Sequence, residues 1–110
     1  MATYSNIYID QGSSYSSVIE VKDSNGLLFN TSGYQARGQI RKSYNSTIPT
    51  AIFVTNINQV GRVLLSLTAA QTRAIKPGRY VYSVEIYNSS DHVIRVADGQ
   101  VEIIPSSIKI

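Results

Sequence analysis

The residues that could carry out acid–base chemistry are few, and they lie in predicted connections. His92 is the single histidine of the sequence, and it directly follows Asp91. A catalytic pair of this kind needs a nucleophile or a substrate pocket within hydrogen-bond reach. Both residues fall in a predicted hairpin connection, where an aspartate is common because its side chain bonds to nearby backbone. The sequence therefore predicts no acid–base centre.

Metal, phosphate and nucleophile sites are not indicated either. The sequence has no cysteine, which excludes thiolate metal ligands, thiol catalysis and disulfides. It contains neither a glycine-rich phosphate-binding motif nor the alternating oxygen ligands of a calcium loop. We therefore expect a protein that is not an enzyme and that binds no cofactor and no metal. The aspartates considered as ligands stand alone in separate turns: Asp10, Asp23, Asp91 and Asp98.

The composition is that of one domain with a weakly charged surface. Charged residues make up 15 % of the 110 residues, below the usual ~25 %, so Ser, Thr, Asn, Gln and Tyr must cover much of the surface. The net charge is 10 − 7 = +3, but the basic residues are scattered, and nucleic-acid binding is therefore not expected. No apolar run approaches the ~20 residues of a membrane span. The start of the chain has no signal-peptide features, so we expect synthesis in a cytoplasm.

The stretch 61–87 sets the core of the predicted fold. Alternating apolar residues predict one strand before Thr68 and another after Gly78. Between them, Thr68 and Gln71 have the spacing of a capping box, which predicts a short helix. Tyr80 follows the Pro77–Gly78 turn at the spacing of a tyrosine corner, in which the hydroxyl bonds back to the neighbouring connection. The side chains of the second strand predicted to face inward are Tyr80, Tyr82, Val84 and Ile86.

Turn signals at roughly 8–12-residue spacing divide the rest of the chain into short strands. Asp23–Gly26 predicts a hairpin with a type I′ turn, and Gly99 predicts a bulge or kink in the last strand. Ala36 and Gly38 are small, which predicts a bulky neighbour, for instance a tyrosine of the 80–86 strand. The segment 56–60 is predicted as a loop. The predicted strands are 4–10, 15–22, 34–44, 51–55, 62–67, 79–87, 92–97 and 100–104.

This pattern predicts an all-β fold. The expected architecture is an immunoglobulin-like antiparallel β-sandwich of seven to eight strands, with one short helix between two core strands. The cysteine–tryptophan–cysteine core of true immunoglobulin domains is absent. We expect one sandwich domain over residues 1–105 and a C-terminal tail over residues 106–110.

The same residues resemble a β-sandwich domain of tailed-bacteriophage virion proteins. The chain is similar to the N-terminal domain of phage upper baseplate proteins and to related small virion structural proteins. The resemblance covers nearly the whole chain. Upper baseplate proteins continue into linkers and a second domain, so the shorter sequence favours a small accessory subunit. The stretches that carry the resemblance are 10–12, 18–21, 23–26, 33–37, 39–41, Gly61, Val63, Leu65, Leu67, 71–72, 77–82, 84–86, 93–96, Gly99 and 101–103.

The resemblance implies a non-enzymatic structural subunit of a phage particle that acts through protein–protein contacts. It would sit in the baseplate, the tail or fibre attachment, the neck or the capsid surface. Its partners would be other virion proteins, in a homo-oligomer within a symmetric assembly, and its location would be the virion. Two alternatives stay open: a free-standing module that binds a host surface or a carbohydrate, and a small inhibitor of a host protein. The absence of tryptophan weakens the carbohydrate alternative.

Tyrosines, a short basic run and an apolar tail supply the candidate contact residues. Tyr4 and Tyr8 lie on the polar side of the predicted first strand, and tyrosine offers a large rigid contact area. The residues 108–110 form an apolar end of the kind that adds to a neighbour as a strand. The predicted interface residues are Tyr4, Tyr8, Arg37, Arg41, Lys42, Ile108 and Ile110.

Overall fold

The computed structural model of the protein describes residues 3–107. Within this range the chain folds as an all-β, immunoglobulin-like sandwich with a short helix, as the sequence predicts. Apolar and polar residues alternate along the strands because successive side chains point to opposite faces. The elements are β1 (Thr3–Tyr4), β2 (Ile7–Asp10), β3 (Tyr15–Glu20), β4 (Gln35–Arg41), β5 (Ala51–Ile52), β6 (Val54–Gln59), β7 (Arg62–Leu67), α1 (Ala69–Arg73), β8 (Gly78–Tyr87) and β9 (Val93–Ile104).

The strands form a large sheet and a small sheet. The large sheet has the order β1-β9-β8-β4-β5, with β2 also paired to β9, and the small sheet has the order β3-β7-β6. β1 and β2 are segments of one broken strand, and β5 and β6 are segments of another that passes between the sheets. Counted in this way, the described residues form seven strands. The helix α1 connects β7 to β8, which is the predicted place for it.

The core lies between the two sheets and is built from alternate residues of their central strands. Each of these side chains is almost completely buried, and together they remove a continuous apolar surface from water. The predicted inward positions Tyr82, Val84 and Ile86 of β8 are therefore confirmed, and the fourth, Tyr80, is half-buried. The central core side chains are Val63, Leu65 and Leu67 of β7, Tyr82, Val84 and Ile86 of β8, and Val101 and Ile103 of β9.

The connection through α1 follows its predicted chemistry. Gln71 donates its backbone N–H to Thr68 Oγ1 over 3.1 Å, and Thr68 donates its own to Gln71 Oε1 over 2.8 Å, which completes the capping box. The Tyr80 hydroxyl donates to the Lys76 carbonyl over 2.7 Å, so the tyrosine corner is also present. The buried Thr72 ties α1 to the turn after β2, because its hydroxyl donates to the Ser13 carbonyl over 2.8 Å.

The first strand departs from the predicted antiparallel arrangement. β1 and β2 both pair with β9 in parallel, with Ile7 opposite Val101 and Asp10 opposite Ile104. The strand is also broken at Ser5 and Asn6 rather than continuous from Tyr4 to Asp10. Local alternation shows which face of a strand is apolar, but it carries no information on the direction of the partner strand.

Gly99 has a different role from the predicted bulge. The β8–β9 register passes from Val84 opposite Ala97 to Glu85 opposite Arg95, so Val96 is the extra, bulged residue. A Cβ at Gly99 would lie 2.1 Å from the Ser5 carbonyl oxygen. Gly99 therefore permits the close approach of the broken first strand.

The predicted loop 56–60 is wrong over most of its length. β6 runs to Gln59 and pairs with β7. Asn56 and Asn58 are exposed on this edge strand, whereas Thr55 and Ile57 are half-buried. The alternation is thus present, but polar residues on the solvent side of an edge strand resemble a loop composition.

Two smaller predictions are also corrected. The type I′ turn is wrong because Asn25 does not have a positive φ, whereas Gly26 has φ 80°. Asp23 Oδ1 instead accepts the backbone N–H groups of Asn25 and Leu27. The bulky ring above Gly38 belongs to Phe53, whose Cδ2 would lie 3.1 Å from a Cβ at this glycine.

Candidate protein interface

The strand register gathers four of the predicted interface residues on the outer face of the large sheet, called here the large-sheet face. Tyr4 lies opposite Asp98, and Tyr8 lies opposite Glu102. Both tyrosines are exposed, at 64 % and 63 %. Their partners on β9 alternate with buried residues, which places them on the outer side of the sheet. The remaining two predicted residues on this face are Arg37, opposite Glu85, and Arg41, opposite Val81.

A groove of about 400 Å³ lies over the middle of the large-sheet face. It is called here the arginine groove, because three arginines line it together with one glutamate and one exposed tyrosine. Arginine and tyrosine are enriched in the centres of protein interfaces. The charged and aromatic residues at its outer surface are Arg37, Arg41, Arg95, Glu85 and Tyr44.

Arg37 is fixed on two sides. Its guanidinium forms an ion pair with Glu85. The same group lies 4.3 Å from the centroid of the Tyr87 ring, in the geometry of a cation–π contact. The Tyr87 hydroxyl in turn donates to Gln35 Oε1 over 3.0 Å, which holds the ring. Arg37 therefore forms a rigid wall of the groove whose charge is already matched.

Arg41 is held by neutral groups. Its Nε and Nη2 lie 3.1 Å and 2.6 Å from Gln39 Oε1, and its Nη1 lies 2.5 Å from the Ser46 carbonyl oxygen. Among residues 3–107, no ion pair includes Arg41. The side chain is thus oriented without being neutralised. Tyr44, which also lines the groove, is 63 % exposed.

The remaining predicted contact residues are Lys42, Ile108 and Ile110. Lys42 is exposed but follows the end of β4, so no strand register places it beside the arginines. Ile108 and Ile110 lie outside the described residues.

Sequence reasoning missed Arg95, and the bulge explains why. Counting alternate residues back from the buried Ile103 and Val101 places residue 95 on the inner side of β9. The extra residue Val96 reverses the alternation, and the Arg95 side chain becomes 60 % exposed on the outer face. Bulges commonly redirect a side chain in this manner. No feature of the local sequence identifies Val96 as the bulged residue.

A second groove, of about 860 Å³, separates β2 from β3 at one edge of the sandwich. It is called here the edge groove, and Ile7, Tyr8, Tyr15 and Val18 are among its lining residues. At its floor the Tyr82 hydroxyl donates to the Ser5 carbonyl over 2.7 Å. Burial raises the pKa of Tyr82 to about 12, because the charged phenolate is poorly solvated there.

Asp91 and His92, the residues first considered for chemistry, are both exposed. His92 lies in the β8–β9 connection with its ring centroid 6.3 Å from that of Tyr34, and Asp91 adopts a φ of 62° in the same turn. Across residues 3–107, no group of three potential ligands is close enough to hold a metal ion. The same part of the chain contains no helix long and apolar enough to cross a membrane.

Comparison with known proteins gives a likeness of fold. No family model matches the sequence, and no curated protein matches it. Murine CRIg is 9 % identical, with 93 % of this chain and 92 % of that chain covered, at a TM-score of 0.46. CopC from Methylosinus trichosporium OB3b is 11 % identical, with 71 % and 72 % covered, at a TM-score of 0.43. A chain in a structure of T cell activation by the bacterial superantigen toxic shock syndrome toxin-1 is 15 % identical, with 90 % and 92 % covered, at a TM-score of 0.49. Likenesses at these scores carry no functional argument.

Proposed function

We propose that this domain is a non-enzymatic structural subunit of a phage particle and that it binds other virion proteins through the large-sheet face. The observation that carries the contact surface is the gathering of Tyr4, Tyr8, Arg37 and Arg41 on one side of one sheet. The phage context rests on the sequence resemblance. A subunit of this kind needs a rigid, chemically specific surface rather than a reactive centre.

The composition of the large-sheet face supports a protein contact. Tyrosine and arginine combine a large contact area with directional hydrogen bonds, and they dominate the binding energy of many interfaces. The face also carries acidic residues opposite the tyrosines, Asp98 and Glu102, so it offers charges of both signs for the recognition of a specific partner. In a symmetric particle, many copies of a weak contact of this type add up to stable attachment.

The outer face of the small sheet provides a matched control. Val18 and Val54 are each 55 % exposed there, so they can be replaced by serine with little effect on the core. We expect the double variant Tyr4→Ser, Tyr8→Ser to be incorporated into particles at roughly a tenth of the wild-type level or less, as for loss of hot-spot residues. The double variant Val18→Ser, Val54→Ser should be incorporated normally.

The experiment is competition between tagged variant and wild-type protein during particle assembly, followed by mass spectrometry of purified particles. Absence of the wild-type protein from every particle would overturn the proposed function. Equal incorporation of both double variants would instead support the proposed role in a particle but reject the large-sheet face as the contact surface. Binding of the purified domain to a glycan array, without incorporation, would favour the carbohydrate-binding alternative.

A further inference from the structure

We propose that the arginine groove binds carboxylate side chains of an acidic segment on a partner protein. This inference rests on the proposed function and specifies the chemistry of the partner. The groove is lined by three arginines and by one carboxylate, that of Glu85, so its charged lining carries 3 − 1 = +2. The whole chain carries only +3. Much of the net charge of a weakly charged protein is therefore concentrated in one concave site.

Arg41 is the part of the groove that is best prepared for an anion. Its guanidinium is oriented by the Gln39 side chain and the Ser46 carbonyl, which are neutral acceptors. A carboxylate that enters the groove gains a charge-assisted hydrogen bond to a side chain that is already positioned. The entropy of ordering a long side chain is then largely avoided, which favours binding.

Arg95 supplies a second cationic group. The bulge at Val96 turns its side chain onto the large-sheet face, and its Nη1 lies 3.9 Å from Asp98 Oδ2, beyond hydrogen-bond distance. Its guanidinium thus forms a long ion pair with Asp98, and its N–H groups can bond to a closer partner. Arg37 is engaged by Glu85 and Tyr87, so it forms a wall of the groove rather than an available cation.

The remaining lining favours a protein carboxylate over a nucleic-acid phosphate. Glu85 lies within the groove and would repel a continuous phosphate backbone, whereas separate carboxylates can bind on either side of it. Tyr44 and Val81 add aromatic and apolar surface that fits the stems of acidic side chains and their neighbours.

The test is a titration of the ¹⁵N-labelled domain with the blocked peptide acetyl-Asp-Glu-Asp-Glu-amide, monitored at the arginine Nε–H resonances. Acetyl-Asn-Gln-Asn-Gln-amide is the uncharged control peptide. We expect saturable shifts at Arg41 and Arg95, and an affinity lowered about tenfold in Arg41→Gln, as for loss of a charged hydrogen bond. Arg62→Gln is the matched control variant, because Arg62 is partly exposed on the small sheet and pairs with Glu20. Its affinity should equal that of the wild type.

Several results would overturn the proposal. Absence of saturable shifts, equal shifts at Arg62, or stronger binding of inorganic phosphate or a thymidine oligonucleotide than of the acidic peptide would each do so. Arg41→Lys separates a binding defect from a folding defect. It keeps the positive charge but loses the planar guanidinium, so the peptide should bind it with an affinity between those of the wild type and Arg41→Gln. The Arg41→Gln variant could be incorporated into particles normally while the double variant Tyr4→Ser, Tyr8→Ser is not incorporated. This result would reject the acidic partner and leave the proposed function standing.

Discussion

The two long edges of the sandwich are built differently. At one edge, called here the closed edge, the chain itself crosses from β5 to β6, with the Phe53 N–H bonded to the Gly38 carbonyl over 2.9 Å. The Thr55 hydroxyl adds a bond of 2.9 Å to the Ala36 carbonyl of the large sheet. At the other edge, called here the open edge, β2 and β3 are separated by the edge groove, and the Tyr82 hydroxyl bonds to the first strand within the large sheet.

This difference shows that the sandwich is held together asymmetrically. Backbone and a buried ring hold the closed edge, so its stability is shared with the core. The open edge depends on the broken first strand, which is close enough to bond only because Gly99 lacks a side chain. We therefore expect substitutions at the closed edge to lower global stability and those at the open edge to release the first strand first.

The largest effect is expected for Phe53→Ala at the closed edge. The Phe53 side chain is buried, and its ring centroid lies 6.4 Å from those of both Tyr15 and Tyr82. Its removal leaves a cavity between the sheets and should lower the free energy of unfolding by about 3–5 kcal/mol. Urea denaturation followed by circular dichroism measures this loss. A loss below about 1 kcal/mol would show that the closed edge is not part of the core.

The second-largest effect is expected for Gly99→Ala at the open edge. A Cβ there would meet the Ser5 backbone, which has no flexible side chain to move aside, so the first strand must shift. We expect the free energy of unfolding to fall by about 2–3 kcal/mol, as for overpacking. Relative to the wild type, hydrogen exchange should increase more in β1 and β2 than in β7.

Gly78→Ala is the control for this prediction. Gly78 has φ 144° and Gly99 has φ 156°, but a Cβ at Gly78 meets no atom within 4 Å. The two variants thus share the backbone strain and differ in the clash. If both lose the same stability and both leave hydrogen exchange in β1 unchanged, the close approach of the first strand does not matter for stability.

Much of the fold is predictable because its signals are local. The capping box of Thr68 and Gln71 and the corner of Tyr80 need only residues three or four positions apart. The period-two alternation identifies the buried side of β7 and β8 without knowledge of their partners. These features fix the sandwich class from the chain alone.

The parts that escaped prediction depend on contacts between distant residues. The parallel pairing of β2 with β9 joins the two ends of the chain, and the need for glycine at position 99 arises from Ser5. For the candidate interface, local patterns selected Tyr4, Tyr8, Arg37 and Arg41. They missed Arg95, because a bulge at Val96 can be recognised only from the register against β8.

A smaller effect is expected for Tyr82→Phe, which removes the hydroxyl that bonds to the first strand at the floor of the edge groove. The loss of one hydrogen bond should lower the free energy of unfolding by about 1 kcal/mol at pH 7. The folded-state pKa of Tyr82 is raised from 10.0 to about 12. Folding therefore favours the neutral phenol, and this contribution is complete below pH 10 and is lost as the pH rises towards 12.

The comparison of wild type with Tyr82→Phe isolates that contribution, since the other tyrosines titrate in both proteins. We expect the stability advantage of the wild type to shrink between pH 10 and pH 12 in urea denaturation at each pH. An advantage that stays constant over this interval would show that the Tyr82 hydroxyl is not buried against the first strand.

The smallest effect is expected for Thr55→Val at the closed edge. The substitution keeps the shape and removes the bond to the Ala36 carbonyl, which should lower stability by about 0.5–1 kcal/mol. Because the chain still crosses at Phe53, hydrogen exchange in β4 and β6 should rise only as far as global stability falls. Selective opening of β6 in this variant would show that the closed edge is held by the threonine rather than by the crossing backbone.

The parallel pairing of β2 with β9 also determines how the domain responds to mechanical load. Tension applied through the flanking chain pulls the start of β2 and the end of β9 in opposite directions along the strand axes. The hydrogen bonds between them then bear the force together, in shear, instead of opening one after another. Resistance to extension depends on the rate of unfolding rather than on equilibrium stability. The domain can thus resist extension along its chain through a slow rate of unfolding, independently of its equilibrium stability.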